Sequence, residues 1–173
     1  MSRTLFVMRH AKSSWETGET DHRRPLNLRG ERDGVVAGAY LAERCRRIDR
    51  VLCSSARRTG QTWERAVVGG AAAREVSHHD EIYEASPSDL LPLLRGLPAG
   101  TATALVLGHL PGVAQLVDLL AVREETPARE RFEEKFPTSG IATIEFAGDW
   151  TDLAPQSGRL VEFAVPRADR NRG

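Results

Sequence analysis

The chain alternates short, continuously apolar runs with longer amphipathic stretches. Thr4 to Met8 is apolar at consecutive positions rather than at every second one, the pattern of a strand buried on both faces. Asn27 is placed to cap a helix over about 28–44, because its side chain can accept from free first-turn amides. Residues 50–53 predict a second strand. Thr59 to Val68 reads as a helix, with Trp63, Ala66 and Val67 at i, i+3 and i+4, and Gly69-Gly70 ends it. Residues 74–77 form a weak third strand. Ser86 and Pro87 open a further helix as cap and first-turn residue, and Pro92 leaves its register open. Ala102 to Leu107 predicts a strand, and Gly112 to Ala121 a helix with Val113, Leu116, Val117 and Leu120 on one face. The densely charged stretch 123–136 is expected to be solvated. Residues 140–146 and 160–165 read as closing strands, and the tail from Pro166 is expected to fray.

Strand–helix–strand alternation of this kind implies an α/β fold: a three-layer α/β/α sandwich around a mostly parallel central sheet, formed by a single domain over residues 1–165. In such sheets ligands bind outside the carboxyl ends of the strands.

Composition narrows the classes. Of 173 residues 40% are hydrophobic, and the 15 glycines bring the apolar share to about 49%, ordinary for a globular domain. Lys plus Arg and Asp plus Glu are 24 each, so the formal net charge is zero. Disorder, nucleic-acid binding and membrane-surface binding all favour a charge imbalance that this chain lacks. No apolar stretch approaches the ~20 residues of a membrane span, and Arg9-His10 interrupts the first run before it can serve as a signal core. Cys45 and Cys53 fit neither a Cys-x-x-Cys nor a zinc pattern and read as small hydrophobes of a reducing cytoplasm. A disulfide between them is the lesser alternative.

Three predicted strands end in chemically active residues. The first ends in Arg9-His10, the second in Cys53-Ser54-Ser55 followed by Arg57-Arg58, and that at 102–107 in Gly108-His109. Arginine forks match phosphate oxygens bidentately and keep their charge. Helix starts at about Arg58 and Leu110 are expected to add free amides and positive dipole ends. A neutral histidine is a nucleophile toward phosphorus, and surrounding cations should keep His10 unprotonated. Metal chemistry fits poorly: His78 and His79 are adjacent and point to opposite faces of a strand, and arginines repel a cation. No metal or cofactor is expected.

Leu5 to Ala11 resembles the signature of the histidine phosphatase superfamily, the phosphoglycerate-mutase-like fold. Ser54 to Thr62 resembles its second motif, whose spacing selects Arg58 rather than Arg57, and Val106 to Gly112 its third. Within the superfamily the chain is most similar to the SixA-type phosphohistidine phosphatases, through Arg9–Ser13, Asp21–Leu26, Leu28–Gly30 and Phe136–Ala142. The resemblance spans roughly residues 4 to 147. It implies that His10 takes the phosphoryl group while Arg9, Arg58 and His109 cradle its oxygens. Lys12, Ser13 and Arg24 are further pocket candidates, and Asp21 is either a pocket acid or a residue that orients Arg24. Larger members carry a proton-donating carboxylate after the second motif. Glu81 and Glu84 lie in that region, without the family's surrounding residues. The expected activity is a metal-independent phosphatase of the cytoplasm, acting on a phosphorylated substrate with a histidine phosphotransfer protein as candidate partner. The alternatives are a small-molecule phosphomonoesterase, acting on a sugar or nucleotide phosphate, and an idle phosphate-binding module.

Overall fold

The computed structural model describes residues 2–169. Its elements follow in the order β1 (Ser2–Arg9), α1 (Leu28–Arg44), β2 (Ile48–Ser54), α2 (Arg57–Val68), β3 (Ala73–His79), α3 (Pro87–Arg95), β4 (Thr103–Gly108), α4 (Gly112–Leu120), α5 (Pro127–Glu134), β5 (Ile141–Ala147) and β6 (Gly158–Ala164). The strands form one six-stranded sheet in the order β3-β2-β4-β1-β5-β6. The β1–β4, β2–β4 and β2–β3 pairs are parallel, whereas β5 runs antiparallel to both β1 and β6.

Alternation along β1 divides the interior into two cores. Leu5 and Val7 face the side covered by α3, α4 and α5, through Leu90, Leu94, Val113, Leu116 and Phe132. Phe6 and Met8 face the side covered by α1 and α2, through Ala37, Leu41, Trp63 and Ala66. Side chains on a strand point alternately to opposite faces, so a continuously apolar strand needs a helical layer on each side. That is the three-layer sandwich the alternation predicts.

Local chemistry accounts for the element boundaries. Asn27 Oδ1 accepts from Gly30 N at 2.8 Å and caps α1. Helix α3 continues through Pro92. The proline frees the carbonyl of exposed Ser88, where water can take its place, while Leu90 and Leu94 stay buried. Three sequence readings are corrected. Val67 does not share the inner face of α2: it is half exposed. The charged stretch 123–136 holds helix α5, because Ala128 and Phe132 at i and i+4 bury on one side, with Phe136 beyond the helix end. Its start was signalled by Thr126, whose side chain accepts from Arg129 N at 3.1 Å, and by Pro127 in the first turn. Fraying does not begin at Pro166. Arg167 Nη1 donates to Thr138 O at 2.6 Å and Ala168 N to buried Asp33 at 3.0 Å, so the chain is held that far. Residues 170–173 lie outside the described residues.

Candidate active site

The parallel strands deliver their carboxyl ends to one edge. At the end of β1, His10 N donates to Gly108 O at 3.1 Å, which locks the turn after β1 to the end of β4 and brings His10 beside His109. Ser139 N donates to His10 O at 3.0 Å from the loop before β5. Ala11 N donates to Thr62 Oγ1 at 3.0 Å, tying the same turn to α2. Gly30 admits the chain after His10, since a Cβ there would lie 2.0 Å from Lys12 O.

His10 is buried, and its Nδ1 lies 2.7 Å from Ala11 O. A carbonyl only accepts, so Nδ1 carries the proton and Nε2 keeps its lone pair. The imidazole pKa is pushed down to about 4, first by burial and then by Arg58, Arg9 and Arg24, against a raising bond to Ala11. Cations therefore contribute as the sequence suggests, but burial is the larger cause. His109 is buried 5.2 Å from His10, centroid to centroid, and its pKa is pushed down to about 3, again chiefly by burial. Its Nε2 lies 2.8 Å from the hydroxyl of Ser54, whose oxygen already accepts from Ala56 N. The Ser54 hydroxyl can donate to Nε2, which places the His109 proton on Nδ1, a buried nitrogen without a partner.

The arginines differ in how their donors are spent. Arg58 gives Nη1 to Asp21 O at 2.7 Å and Nη2 to Asp21 Oδ2 at 3.1 Å, leaving buried Nε unpaired. Arg9 gives Nη1 to Phe136 O at 3.1 Å, and its Nε is likewise buried and unpaired. Burial, then Arg167 and Arg58, lower the Arg9 pKa from its ordinary value. Arg3, at the other end of β1, shows the contrast: its donors go to Thr101 O, Ala99 O, Gly148 O and Asp149, a structural use. Arg24 donates to Ser13 Oγ at 2.8 Å and to Asp21 Oδ1 at 3.1 Å, and its guanidinium stacks 3.5 Å over the exposed Trp15 ring. Arg9 and Arg58 act electrostatically on His10 and His109 lies against it, so cationic N–H donors beside a neutral imidazole can hold an oxyanion for attack by that imidazole.

Asp21 gathers Arg24, Arg58 and the phenol of Tyr83. Its carboxyl is pulled down to about 2, first by the Tyr83 hydrogen bond and then by the two arginines. At neutral pH it is a carboxylate that orients cations, and it has no proton to donate. Other predicted residues stay outside the cluster. Lys12 and Glu84 are exposed, and Glu81 faces His79 at 3.7 Å. The second helix start is also displaced: α4 begins at Gly112, not Leu110, and His109 O already accepts from Val113 N. Tyr83 and His22 enter the cluster without having been singled out, although Tyr83 lies between Glu81 and Glu84 and His22 within the segment Asp21–Leu26. A surface groove of about 630 Å³ along Val122–Glu124 and Gln156–Arg159 holds no histidine, so size alone does not locate the chemistry. Among the described residues no group of three or more His, Cys, Asp or Glu could hold a metal ion, and no helix is long and apolar enough to cross a membrane. Cys45 and Cys53 are both free thiols.

A profile of the histidine phosphatase superfamily (branch 1) matches residues 5–90. An uncharacterized protein of Mycobacterium tuberculosis is 40% identical over 162 residues, covering 92% of this chain and all of its own length. A SixA protein from Nakamurella multipartitia superposes with a TM-score of 0.85 at 30% identity, over 97% of this chain and 98% of the other. A protein histidine phosphatase SixA solved with tungstate superposes with a TM-score of 0.76 at 26% identity, over 94% and 97%.

Proposed function

This chain belongs to the histidine phosphatase superfamily, and from that premise we propose that it is a phosphohistidine phosphatase with His10 as nucleophile. The observation that carries this reading is a mismatch within the site. The oxyanion ligands are strong, yet the carboxylate among them, Asp21, is held ionised by Arg24, Arg58 and Tyr83. An alkoxide leaving group needs a proton in the transition state. A phosphoimidazole does not need one from the enzyme, because its ring can be protonated beforehand and depart as neutral imidazole. The likeness to SixA structures, one of them holding the oxyanion tungstate, supports the same choice.

In the first step His10 Nε2 forms a bond to phosphorus as the bond from phosphorus to the leaving nitrogen breaks, and that electron pair departs with the imidazole. Arg9, Arg58 and His109 Nδ1–H stabilise charge spreading over the equatorial oxygens. In the second step water attacks phosphorus, the bond to Nε2 breaks, and inorganic phosphate leaves. Neither step requires a metal ion. A cytoplasmic location and a histidine phosphotransfer protein as substrate belong to the same reading.

The test is a substrate comparison with trapping of the intermediate. An acid-labile, base-stable phosphate should label His10, and phosphohistidine should be cleaved at least ~10²-fold faster in kcat/KM than an alkyl phosphate. Equal rates, with Glu81 or Glu84 essential only for the alkyl ester, would identify a small-molecule phosphomonoesterase instead.

A further inference from the structure

A row of rings runs outward from the nucleophile. His10 and His109 are 5.2 Å apart, centroid to centroid. His109 and Tyr83 are 5.5 Å apart and edge-on at 80°, and Tyr83 and His22 are 4.9 Å apart at 89°. Tyr83 follows β3 in a segment held against the start of α4: a Cβ on Gly112 would lie 2.2 Å from Ala85 O. Its phenol donates to Asp21, and the Arg58 guanidinium lies 5.9 Å from its ring centroid. His22 is steadied by Ser55 Oγ at 3.0 Å. Tyr83 is thus braced against two phosphoryl ligands, Arg58 and His109, while remaining partly exposed.

A group bonded to a phosphorus held by Arg58 and His109, and directed to solvent, passes this ring. Resting on the hydrolase reading above, we propose that Tyr83, with His22 behind it, walls the leaving-group side of the site and favours substrates whose leaving group is an aromatic ring, an imidazole or a phenol. The role belongs to the ring rather than the hydroxyl. The phenol's proton is committed to Asp21, and the neighbouring carboxylate raises the phenol pKa, which makes it a poor acid. Ring edges carry partial positive charge and ring faces negative, so a leaving imidazole or phenol meeting Tyr83 edge to face is attracted where ammonia or acetate is not.

The experiment measures kcat/KM for two substrates with aromatic leaving groups, phosphoimidazole and p-nitrophenyl phosphate, and two without, phosphoramidate and acetyl phosphate. Intrinsic leaving-group reactivity cancels when each variant is compared with wild type on the same substrate. Because Tyr83→Leu and Tyr83→Phe both lose the Asp21 hydrogen bond, the ring is isolated by comparing the two: Tyr83→Leu should be about five- to tenfold below Tyr83→Phe on both aromatic substrates, the size of one edge-to-face contact, and within about twofold of it on the others. Tyr83→Phe should keep the aromatic preference. A loss shared equally by all four substrates would overturn the proposal, since Tyr83 would then serve only to hold Asp21 and its arginines. If wild type rejects phosphoimidazole but Tyr83→Leu still lowers p-nitrophenyl phosphate selectively, the subsite stands and the phosphohistidine reading falls.

Discussion

Arg58 donates to Asp21 twice, to the backbone carbonyl at 2.7 Å and to the carboxylate at 3.1 Å, so the α2 guanidinium proposed to hold the phosphoryl group is aimed by a residue from a separate loop. Asp21→Ala removes the carboxylate half of that clamp and the partner of Arg24. It should raise KM about tenfold, the equivalent of one charge-assisted bond, with a smaller change in kcat. Steady-state kinetics on p-nitrophenyl phosphate decide it. An unchanged KM would mean that Arg58 is held by the backbone carbonyl alone.

Adjacent arginines should differ sharply. Arg58 is 5% exposed and faces His10, whereas exposed Arg57 reaches Arg23 O at 3.4 Å. Arg58→Ala should cost about 2–4 kcal/mol in kcat/KM and Arg57→Ala under about 0.5 kcal/mol. His10→Ala should abolish phosphoenzyme labelling without unfolding the protein. Comparable losses for the two arginine variants would contradict this geometry.

The acid limb should lie unusually low. In the proposed mechanism the attacking imidazole must be neutral, and burial holds that of His10 to about 4. The fall in kcat/KM with decreasing pH should therefore be centred near 4 to 5 rather than at the ordinary imidazole value, once the substrate's own ionisation is accounted for. A limb at the ordinary value would show that His10 is solvated.

Fold stability should follow the same groups. His10 and His109 have folded pKa values of about 4 and about 3, below the ordinary 6.5, so the unfolded chain binds more protons in that window. Stability is greatest above about 6.5 and declines as pH falls toward 4 and then 3. Asp21, held at about 2, has the carboxylate pattern: its contribution is present above its ordinary 3.8 and is lost as pH falls through 2. Its side chain is 46% exposed, so screening keeps that share small. Urea unfolding at several pH values should show the histidine decline flattened in a His10→Asn/His109→Asn variant.

The end of the chain should contribute measurably. Asp33 is 2% exposed and lies 3.5 Å from Arg167 and 3.6 Å from Arg29. Arg167→Met should destabilise by about 1–3 kcal/mol by leaving this buried carboxylate underpaired, and Asp33→Asn should recover part of the loss. Additive effects in urea unfolding would show that the two residues are not coupled.

Much of the architecture is legible in local sequence because it depends on local physics. Continuous apolarity at Thr4–Met8, the Asn27 cap and the spacing of Val113, Leu116, Val117 and Leu120 each state a preference that the fold honours. Helix α5 is harder to see because charged residues surround Ala128 and Phe132, and burying that pair takes the Phe136 and Phe163 rings, which come from outside the helix.

The site divides in the same way. Strand ends announce Arg9, His10 and His109, and motif spacing announces Arg58, since a parallel sheet must bring its carboxyl ends to one edge. Charge and residue type leave other matters open. Arg3 and Arg9 share β1, and only their partners separate a structural guanidinium from one with an unpaired donor. Whether Asp21 is an acid or an anchor depends on the arginines and phenol that surround it. Whether Glu81 and Glu84 enter the site depends on the backbone after β3, which turns Tyr83 toward His109 and leaves both carboxylates at the surface. Hydrogen bonding and burial act through space among residues distant in the chain, so burial as the main cause of the low His10 pKa, the role of Asp21 and the place of Tyr83 were decided by the tertiary structure alone.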